Sequence, residues 1–281
     1  MRRTRGGFVL AALLVGLSMP AFGQTGQTGQ AGQAFEPQFA QPGKDVVWVP
    51  TPESMVDLML DMARVTPADL VVDLGSGDGR MVIAAAKRGA RSRGVEYNPD
   101  MVQLSRARAY EAGVQARATF VQGDMYEAEI GDATVMALFL LTENLRRLQP
   151  KLLALAPGTR IVSNTFAIPE WPADDSRTRP DCTAWCTALL WIVPAQVGGE
   201  WTLADGSRLL LDQHFQKVTG MLDGPAGARG VQGGALRGAD FTFAIGDASY
   251  AARVDGTRMT GTRREGGRES SWQATRVTPA P

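Results

Sequence analysis

The chain has 281 residues, enough for one large or two modest domains, and 44% of them are hydrophobic, enough for a packed core. Its 29 basic and 29 acidic residues balance, which gives no electrostatic case for a protein that binds nucleic acid or a membrane surface. Two cysteines and one histidine do not make a zinc site by any usual spacing, so we expect no metal. His214 lies in an alternating segment and is assigned to a strand surface, without a catalytic role.

The first residues have the three parts of a secretory signal peptide. A basic start over 1–5 precedes an apolar stretch over 8–19 and a small-x-small cleavage site over 21–23. We therefore predict a signal peptide over 1–23 and a flexible linker, rich in Gln, Gly and Thr, over 24–43. The body is expected to be exported, and to be either periplasmic or anchored in the membrane by an uncleaved signal.

The segment that follows reads Val-Pro-Thr-Pro over 49–52. The two prolines fix the backbone around Thr51, whose side chain is expected to cap a helix that has Pro52 in its first turn. Apolar residues at helical spacing predict that this helix runs over 53–64 and buries Met55 and Met59 in the core.

Residues 70–80 carry the most information about a ligand. An apolar run contains an acid, Asp73, near its end, and three glycines then alternate with other residues: Gly75, Gly77 and Gly79. This pattern predicts a buried strand, a tight turn and a helix, the place where α/β sheets bind nucleotide-like ligands. A dinucleotide fingerprint would need a glycine where Arg80 stands. The carboxylates of the turn favour a cationic ligand over a pyrophosphate, which predicts S-adenosylmethionine, with its sulfonium and ammonium groups.

Two further predicted strands end in acids. Glu96 lies at the tip of a strand over 93–97, where a carboxylate can accept both ribose hydroxyls. Asp124 follows a strand over 118–122 and is placed for the adenine edge. Each acid alone is equally consistent with a solvated strand end. In order after the glycine turn, however, they predict one cofactor site made of Asp73, Gly75, Gly77, Gly79, Glu96 and Asp124.

Strands and helices continue to alternate up to about residue 195. The further predicted elements are helices over 79–88, 99–112 and 144–155 and strands over 133–141, 158–164 and 187–193. This alternation predicts an α/β fold over 44–196, a Rossmann-like, doubly wound, mostly parallel sheet. From Gly198 onward, short alternating runs punctuated by glycine predict a small antiparallel β module over 197–281.

Cys182 and Cys186 stand three residues apart. In an oxidising compartment they could form a disulfide, and they are equally consistent with two small buried side chains. The sequence leaves both readings open.

Several of these segments are similar to known methyltransferases. Residues 46–195 resemble the class I S-adenosylmethionine-dependent methyltransferases and, more narrowly, the ATP synthase c-subunit lysine methyltransferase family and its bacterial relatives. The resemblance rests on Val-Pro-Thr-Pro over 49–52, the glycine turn over 73–80, Gly-Val-Glu-Tyr-Asn-Pro over 94–99, Ser-Arg over 105–106, and residues 157–163 leading to Trp171.

The resemblance implies methylation of a protein lysine or another amine, with S-adenosylmethionine as cofactor. The balanced charge of the chain predicts no nucleic-acid partner. The resemblance also implies a donor-site or acceptor-channel role for Thr51 and Asn164, the candidate catalytic residues. Thr142, Glu143, Phe166 and Trp171 are further candidates for the acceptor side, although capping or packing is the favoured explanation for each of them.

The export signal and the C-terminal β module depart from the family pattern, and export conflicts with a cytoplasmic supply of the cofactor. Two alternatives therefore stay open: a small-molecule methyltransferase, and an exported, non-catalytic binding protein that retains the fold. An association with the cell envelope, the acceptor, the oligomeric state and the role of the β module are also open.

Overall fold

A computed structural model describes residues 35–277. The predicted signal peptide and the first part of the predicted linker lie outside the described residues. Within the described part of the chain, no helix is both long and apolar enough to cross a membrane.

The first part of the described chain alternates helices with strands. The helices are α1 (Glu53–Met62), α2 (Arg80–Lys87), α3 (Pro99–Glu111) and α4 (Thr142–Leu153). The strands are β1 (Leu70–Leu74), β2 (Arg91–Glu96), β3 (Ala118–Gln122), β4 (Val135–Leu138), β5 (Arg160–Asn164), β6 (Asp175–Thr178) and β7 (Thr187–Ile192).

These strands form one sheet in the order β3-β2-β1-β4-β5-β7-β6. The first five are parallel, whereas β7 pairs antiparallel with both β5 and β6. The apolar strands β1 and β4 lie in the middle and are buried throughout, as expected for strands covered on both faces. The predicted α/β fold with a mostly parallel sheet is confirmed. Strand β6, whose residues are largely exposed, was not predicted.

Two helix starts show what the sequence signals could and could not predict. Asn98 caps α3 as expected, since its side chain accepts a hydrogen bond from the Asp100 amide at 2.9 Å and Pro99 opens the helix. The expected cap at Thr51 is wrong. Pro52, with ψ of 141°, is still extended and precedes the first helical residue, so the Thr51 side chain stands one position too early.

From Gly199 onward the chain forms only strands. They are β8 (Gly199–Leu203), β9 (Arg208–His214), β10 (Lys217–Asp223), β11 (Arg229–Gly230), β12 (Gln232–Arg237), β13 (Asp240–Ile245), β14 (Ala248–Asp255), β15 (Arg258–Glu265) and β16 (Arg268–Arg276). All pair antiparallel, as predicted. Because β16 returns to β8 and β9 pairs with β10, the sheet closes on itself.

The inside of this closed sheet is a separate apolar core. Alternate residues point inward, as in β14, where buried and exposed positions follow each other without interruption. Phe243 stacks on Tyr250 at 4.6 Å between ring centroids, and Trp201 is fully buried. His214 is exposed at the end of β9, as expected.

The closed sheet contacts the α/β part through a few specific groups. Trp171, in the loop after β5, stacks on Phe215 at a centroid distance of 5.6 Å. The Gln216 side-chain amide donates to the Pro172 carbonyl at 2.8 Å, and the Ala195 amide donates to the Gly238 carbonyl at 2.8 Å. The aromatic stack and one hydrogen bond therefore hold the module against the loop that follows β5, and the other hydrogen bond joins it to the segment that follows β7.

Candidate functional site

The predicted cofactor residues meet at the carboxyl edge of the parallel strands. Gly75, Glu96 and Asp124, which follow β1, end β2 and follow β3, all line one cleft. The cleft has about 730 Å³ of empty space, counting its open mouth, and residues 41–49 form its other wall. Parallel strands bring their carboxyl ends to one edge of a sheet, which is why residues far apart in sequence share this cleft.

The glycine turn approaches its surroundings too closely for side chains. Gly77 has φ of 53°, and a β-carbon there would lie 2.7 Å from Trp48 Nε1. Gly79 has φ of 81°, and a β-carbon there would lie within 2.9 Å of both Phe120 and Ser105. Gly77 therefore lets the Trp48 ring, which lines the cleft, pack against the turn, whereas Gly79 permits α3 and β3 to pack against it.

Glu96 holds the turn in place. Its Oε2 accepts a hydrogen bond from the Gly77 amide at 2.9 Å, and its Oε1 accepts one from the Asn98 amide at 2.9 Å. Each carboxylate oxygen has a second acceptor site, so Glu96 can still receive two hydroxyl donors from a ligand. The sequence predicted the ligand contact and missed this tie to the turn.

Asp124 forms an ion pair with Lys44, from the segment that covers the cleft. The Lys44 ammonium also lies 5.1 Å from the centre of the Tyr97 ring. Hydrogen bonding to Lys44, helped by the Tyr126 amide, lowers the pKa of Asp124, and the same bond raises the pKa of Lys44. Asp124, which was predicted to contact the adenine, therefore also holds residues 41–49, the covering segment, in place.

Asp73 lies at the end of β1 and is only 7% exposed. Burial, followed by the nearby charges of Glu96 and Asp78, raises the pKa of Asp73 to about 8. Asp73 lines a second cleft together with Thr51, Ser76 and Gly77. A cation that enters this cleft would favour the ionised form of this buried carboxyl, and the two charges would then pair strongly.

A charge cluster behind the turn was not predicted. Burial alone would raise the pKa of Asp78, but hydrogen bonds and charge from Arg80 and Arg108 outweigh it and lower that pKa. Arg80 Nη2 lies 2.6 Å from Asp78 Oδ2, and its Nη1 donates to the Thr51 carbonyl at 2.9 Å. Arg80 therefore ties residues 49–52 to the glycine turn. The Asp-Gly-Arg spacing over 78–80 was the available signal.

The weaker candidates separate into three groups. Thr51 and Asn164 are buried near the carboxyl edge, and the Asn164 side-chain nitrogen finds no hydrogen-bond partner within residues 35–277. Thr142 and Glu143 are exposed at the start of α4. Trp171 packs in the core between Trp191 and Phe215, which favours its structural reading.

Cys182 and Cys186 form a disulfide, with their α-carbons 5.5 Å apart. The bond closes a short loop between β6 and β7 and decides between the two readings that the sequence left open. Over residues 35–277, no group of three or more His, Cys, Asp or Glu side chains is arranged to hold a metal ion.

Comparisons with known proteins agree with this geometry. The family model of the ANTKMT methyltransferase domain matches residues 73–175. A protein-lysine N-methyltransferase of Saccharolobus islandicus is 45% identical over 129 residues, which cover 45% of this chain and 80% of that protein. The ATP synthase c-subunit lysine N-methyltransferase of Mus musculus is 31% identical over 188 residues, 66% of this chain and 71% of that protein.

A solved structure resembles the α/β part. The RNA methyltransferase from Salinibacter ruber, in complex with S-adenosyl-L-homocysteine, superimposes with a TM-score of 0.50 at 42% identity. The superposition covers 53% of this chain and 96% of that one. The chain is therefore an S-adenosylmethionine-dependent methyltransferase and belongs to the protein-lysine N-methyltransferase family that includes the ATP synthase c-subunit enzymes.

Proposed function

We propose that this protein methylates the ε-amine of a lysine in a protein of the cell envelope, with S-adenosylmethionine as donor, outside the cytoplasm. One observation carries the proposal: Gly75, Glu96 and Asp124 line one cleft at the carboxyl edge of the sheet, next to the buried acid Asp73. Lysine as the acceptor is supported by the names of the relatives, which are lysine N-methyltransferases of proteins.

The residues present fit the cofactor. The glycine turn at Gly75, the free acceptor sites of Glu96 and the carboxylate of Asp124 would hold the nucleoside half. Asp73 would face the cationic amino-acid half across the second cleft. The bound donor would supply an electrophilic methyl group on a sulfonium, whose sulfur departs as a neutral thioether.

The chain's own contribution is alignment and exclusion of water. The cofactor cleft lies under residues 41–49, and Arg80 fastens residues 49–52 to the turn. A lysine that enters an apolar site next to this cleft loses hydration, which lowers its pKa toward the neutral, nucleophilic amine. No dedicated base is then needed, and the Asn164 amide beside the end of β5 is available to orient the acceptor.

The first test is binding of the cofactor. Calorimetry on residues 24–281 should show binding of both S-adenosylmethionine and S-adenosylhomocysteine. If neither ligand gives heat or a thermal shift, the proposed function is wrong.

The second test identifies the acceptor. The protein is incubated with a methyl-labelled donor and, separately, with envelope proteins, cytosolic proteins, small metabolites and RNA from the source cell. We expect label on lysine in an envelope protein, located by peptide mass spectrometry. Label on small molecules or on RNA would replace the lysine proposal. RNA is included because of the Salinibacter ruber neighbour, although the zero net charge of this chain does not favour it.

Export is the third part of the proposal. It is supported by the basic and apolar start of the chain, and by the disulfide, which persists in oxidising compartments. A fusion of alkaline phosphatase to the C-terminus should be active in cells. An inactive phosphatase, with an active cytoplasmic reporter at the same position, would place the body in the cytoplasm, where the cofactor is made.

A further inference from the structure

Four aromatic side chains gather beside the cofactor cleft. Phe139 follows β4, Phe166 follows β5, Trp185 lies in the disulfide loop and Phe39 precedes the covering segment; we call these four the aromatic cluster. Trp185 lies 6.0 Å from Phe139 and 6.3 Å from Phe39, and Phe139 lies 6.1 Å from Phe166, between ring centroids.

The aromatic cluster lies next to the site where methyl transfer must occur. Phe139 lines both the cleft that contains Glu96 and Asp124 and the cleft that contains Asp73. The parallel strands β4 and β5 pair Leu138 with Ser163. The next residues along these strands, Phe139 and Asn164, are therefore also neighbours. Asn164, which is fully buried and whose side-chain nitrogen has no hydrogen-bond partner within residues 35–277, is therefore a neighbour of the cluster.

Trp185 does not serve as a core residue. Trp171, Trp191 and Trp201 are at most 2% exposed, whereas Trp185 and the other three members of the aromatic cluster stay partly exposed. The backbone of Trp185 has φ of 54°, an unfavourable region for a bulky side chain. The disulfide between Cys182 and Cys186 encloses this residue and keeps the loop closed. Backbone strain that the surrounding structure maintains at a rim is typical of a functional site.

We infer that Trp185 is a specificity-determining residue, whose ring, braced by the disulfide loop against Phe139, receives the alkylammonium side chain of the methyl acceptor. The inference rests on the proposed function and adds the chemical class that the acceptor side selects. Aromatic faces attract a cation and also cover the aliphatic stem of a lysine, so they favour a long alkylammonium chain over a neutral chain of the same shape.

The test uses a small probe, so that it does not depend on the identity of the protein acceptor. Binding of Nε-trimethyl-lysine methylamide, a permanently charged mimic, is measured by ligand-observed NMR with the full mature chain saturated with S-adenosylhomocysteine. Its neutral isostere, with carbon in place of the quaternary nitrogen, is measured in parallel. We expect the cation to bind about tenfold more tightly than the isostere, within the usual range of cation–π attraction.

Three variants locate this selectivity. Trp185→Ala should lose the preference for the cation, Trp185→Phe should keep most of it, and Cys182→Ser/Cys186→Ser should reduce it, because the ring is no longer braced. Tyr110→Ala, which removes an exposed aromatic side chain from α3, is the matched control and should change nothing. Circular dichroism checks that each variant is folded.

The result separates the two proposals. Affinity for S-adenosylhomocysteine should be equal in all four variants, since none of these residues lines the cofactor cleft. If the wild-type protein does not bind S-adenosylhomocysteine, the proposed function is wrong. Normal cofactor binding with no preference for the cation, or with a preference that Trp185→Ala retains, overturns the role of Trp185.

Discussion

The α/β sheet and the closed β module bury very different groups. Among the described residues, all three buried acids, Asp69, Asp73 and Asp78, belong to the α/β part. In the module the buried polar side chain is Ser207, and the core consists of aliphatic and aromatic residues. Both parts have apolar cores, but among the described residues only the α/β part buries acidic side chains.

This difference indicates where the chain carries its function. Buried carboxyls destabilise a fold unless they are compensated. Asp73 and Asp78 lie at the carboxyl edge and line the second cleft, whereas Asp69 pairs with Arg160 at the opposite edge of the sheet. In the module, buried and exposed positions alternate along strands such as β14, and no acid is buried among its described residues. We therefore expect changes at the edge to affect ligand binding first and changes in the module to affect stability first.

Gly77→Arg should have the largest effect and should abolish binding of S-adenosylhomocysteine. A β-carbon at this position already meets Trp48, and a long side chain would fill the cleft wall. Calorimetry measures the binding, with circular dichroism as the check on folding. Gly113→Arg is the matched control, because Gly113 also has positive φ, at 69°, but faces open space. Unchanged binding by Gly77→Arg would show that the turn is not the donor site.

Gly261→Ala tests the other half of the comparison. A β-carbon at Gly261 would lie 1.9 Å from the Ala251 carbonyl oxygen, so β14 and β15 must separate. We expect the free energy of unfolding to fall by about 3 kcal/mol, the upper end for overpacking, while the folded protein keeps its cofactor affinity. Gly230→Ala, with nothing near its β-carbon, should be neutral in urea titrations. A loss of affinity in folded Gly261→Ala would mean that the module and the edge are coupled.

Asp73→Asn should change stability and binding in opposite directions. The pKa of Asp73 rises from 3.8 to about 8 on folding, so between these values the unfolded chain is ionised while the folded chain keeps its proton. The contribution of Asp73 to stability is therefore full below pH 4 and is lost as pH rises toward 8, with a slope of about 1.4 kcal/mol per pH unit.

The asparagine variant lacks this slope. Denaturant titrations from pH 4 to 8 should find it equal to the wild type at the acid end and more stable at the alkaline end, whereas its affinity for S-adenosylmethionine should be lower because a partner for the cation is gone. Parallel pH profiles in the two proteins would contradict a raised pKa at Asp73.

The sequence predicted the parts of the fold that local patterns determine. The glycine turn, the strand ends at Glu96 and Asp124, and the start of α3 at Asn98 each depend on residues within one turn or strand. The module was predicted as antiparallel, but its closure was not, because β16 and β8 meet only in three dimensions.

Contacts between distant segments account for what the sequence missed at the site. Lys44 reaches Asp124 across 80 positions, and Arg108 reaches Asp78 across 30. Charge pairs of this kind leave no periodic signal in the sequence. The cap expected at Thr51 failed for a related reason: the structure binds the carbonyl of this residue to Arg80 and does not use its hydroxyl as a cap.

Asn98→Ala should have the smallest effect. It tests whether stability and ligand binding can be separated at the carboxyl edge of the sheet. The substitution removes the side-chain bond to the Asp100 amide but keeps the backbone amide that donates to Glu96. We expect unfolding to become easier by about 1 kcal/mol, the usual cost of a lost cap, with a change in S-adenosylhomocysteine affinity of less than about twofold. Asn98→Gly, which costs only a few tenths of a kcal/mol at such a position, is the graded control. A tenfold loss of affinity in Asn98→Ala would mean that this cap residue, which also lines the cofactor cleft, serves the ligand as well as the helix.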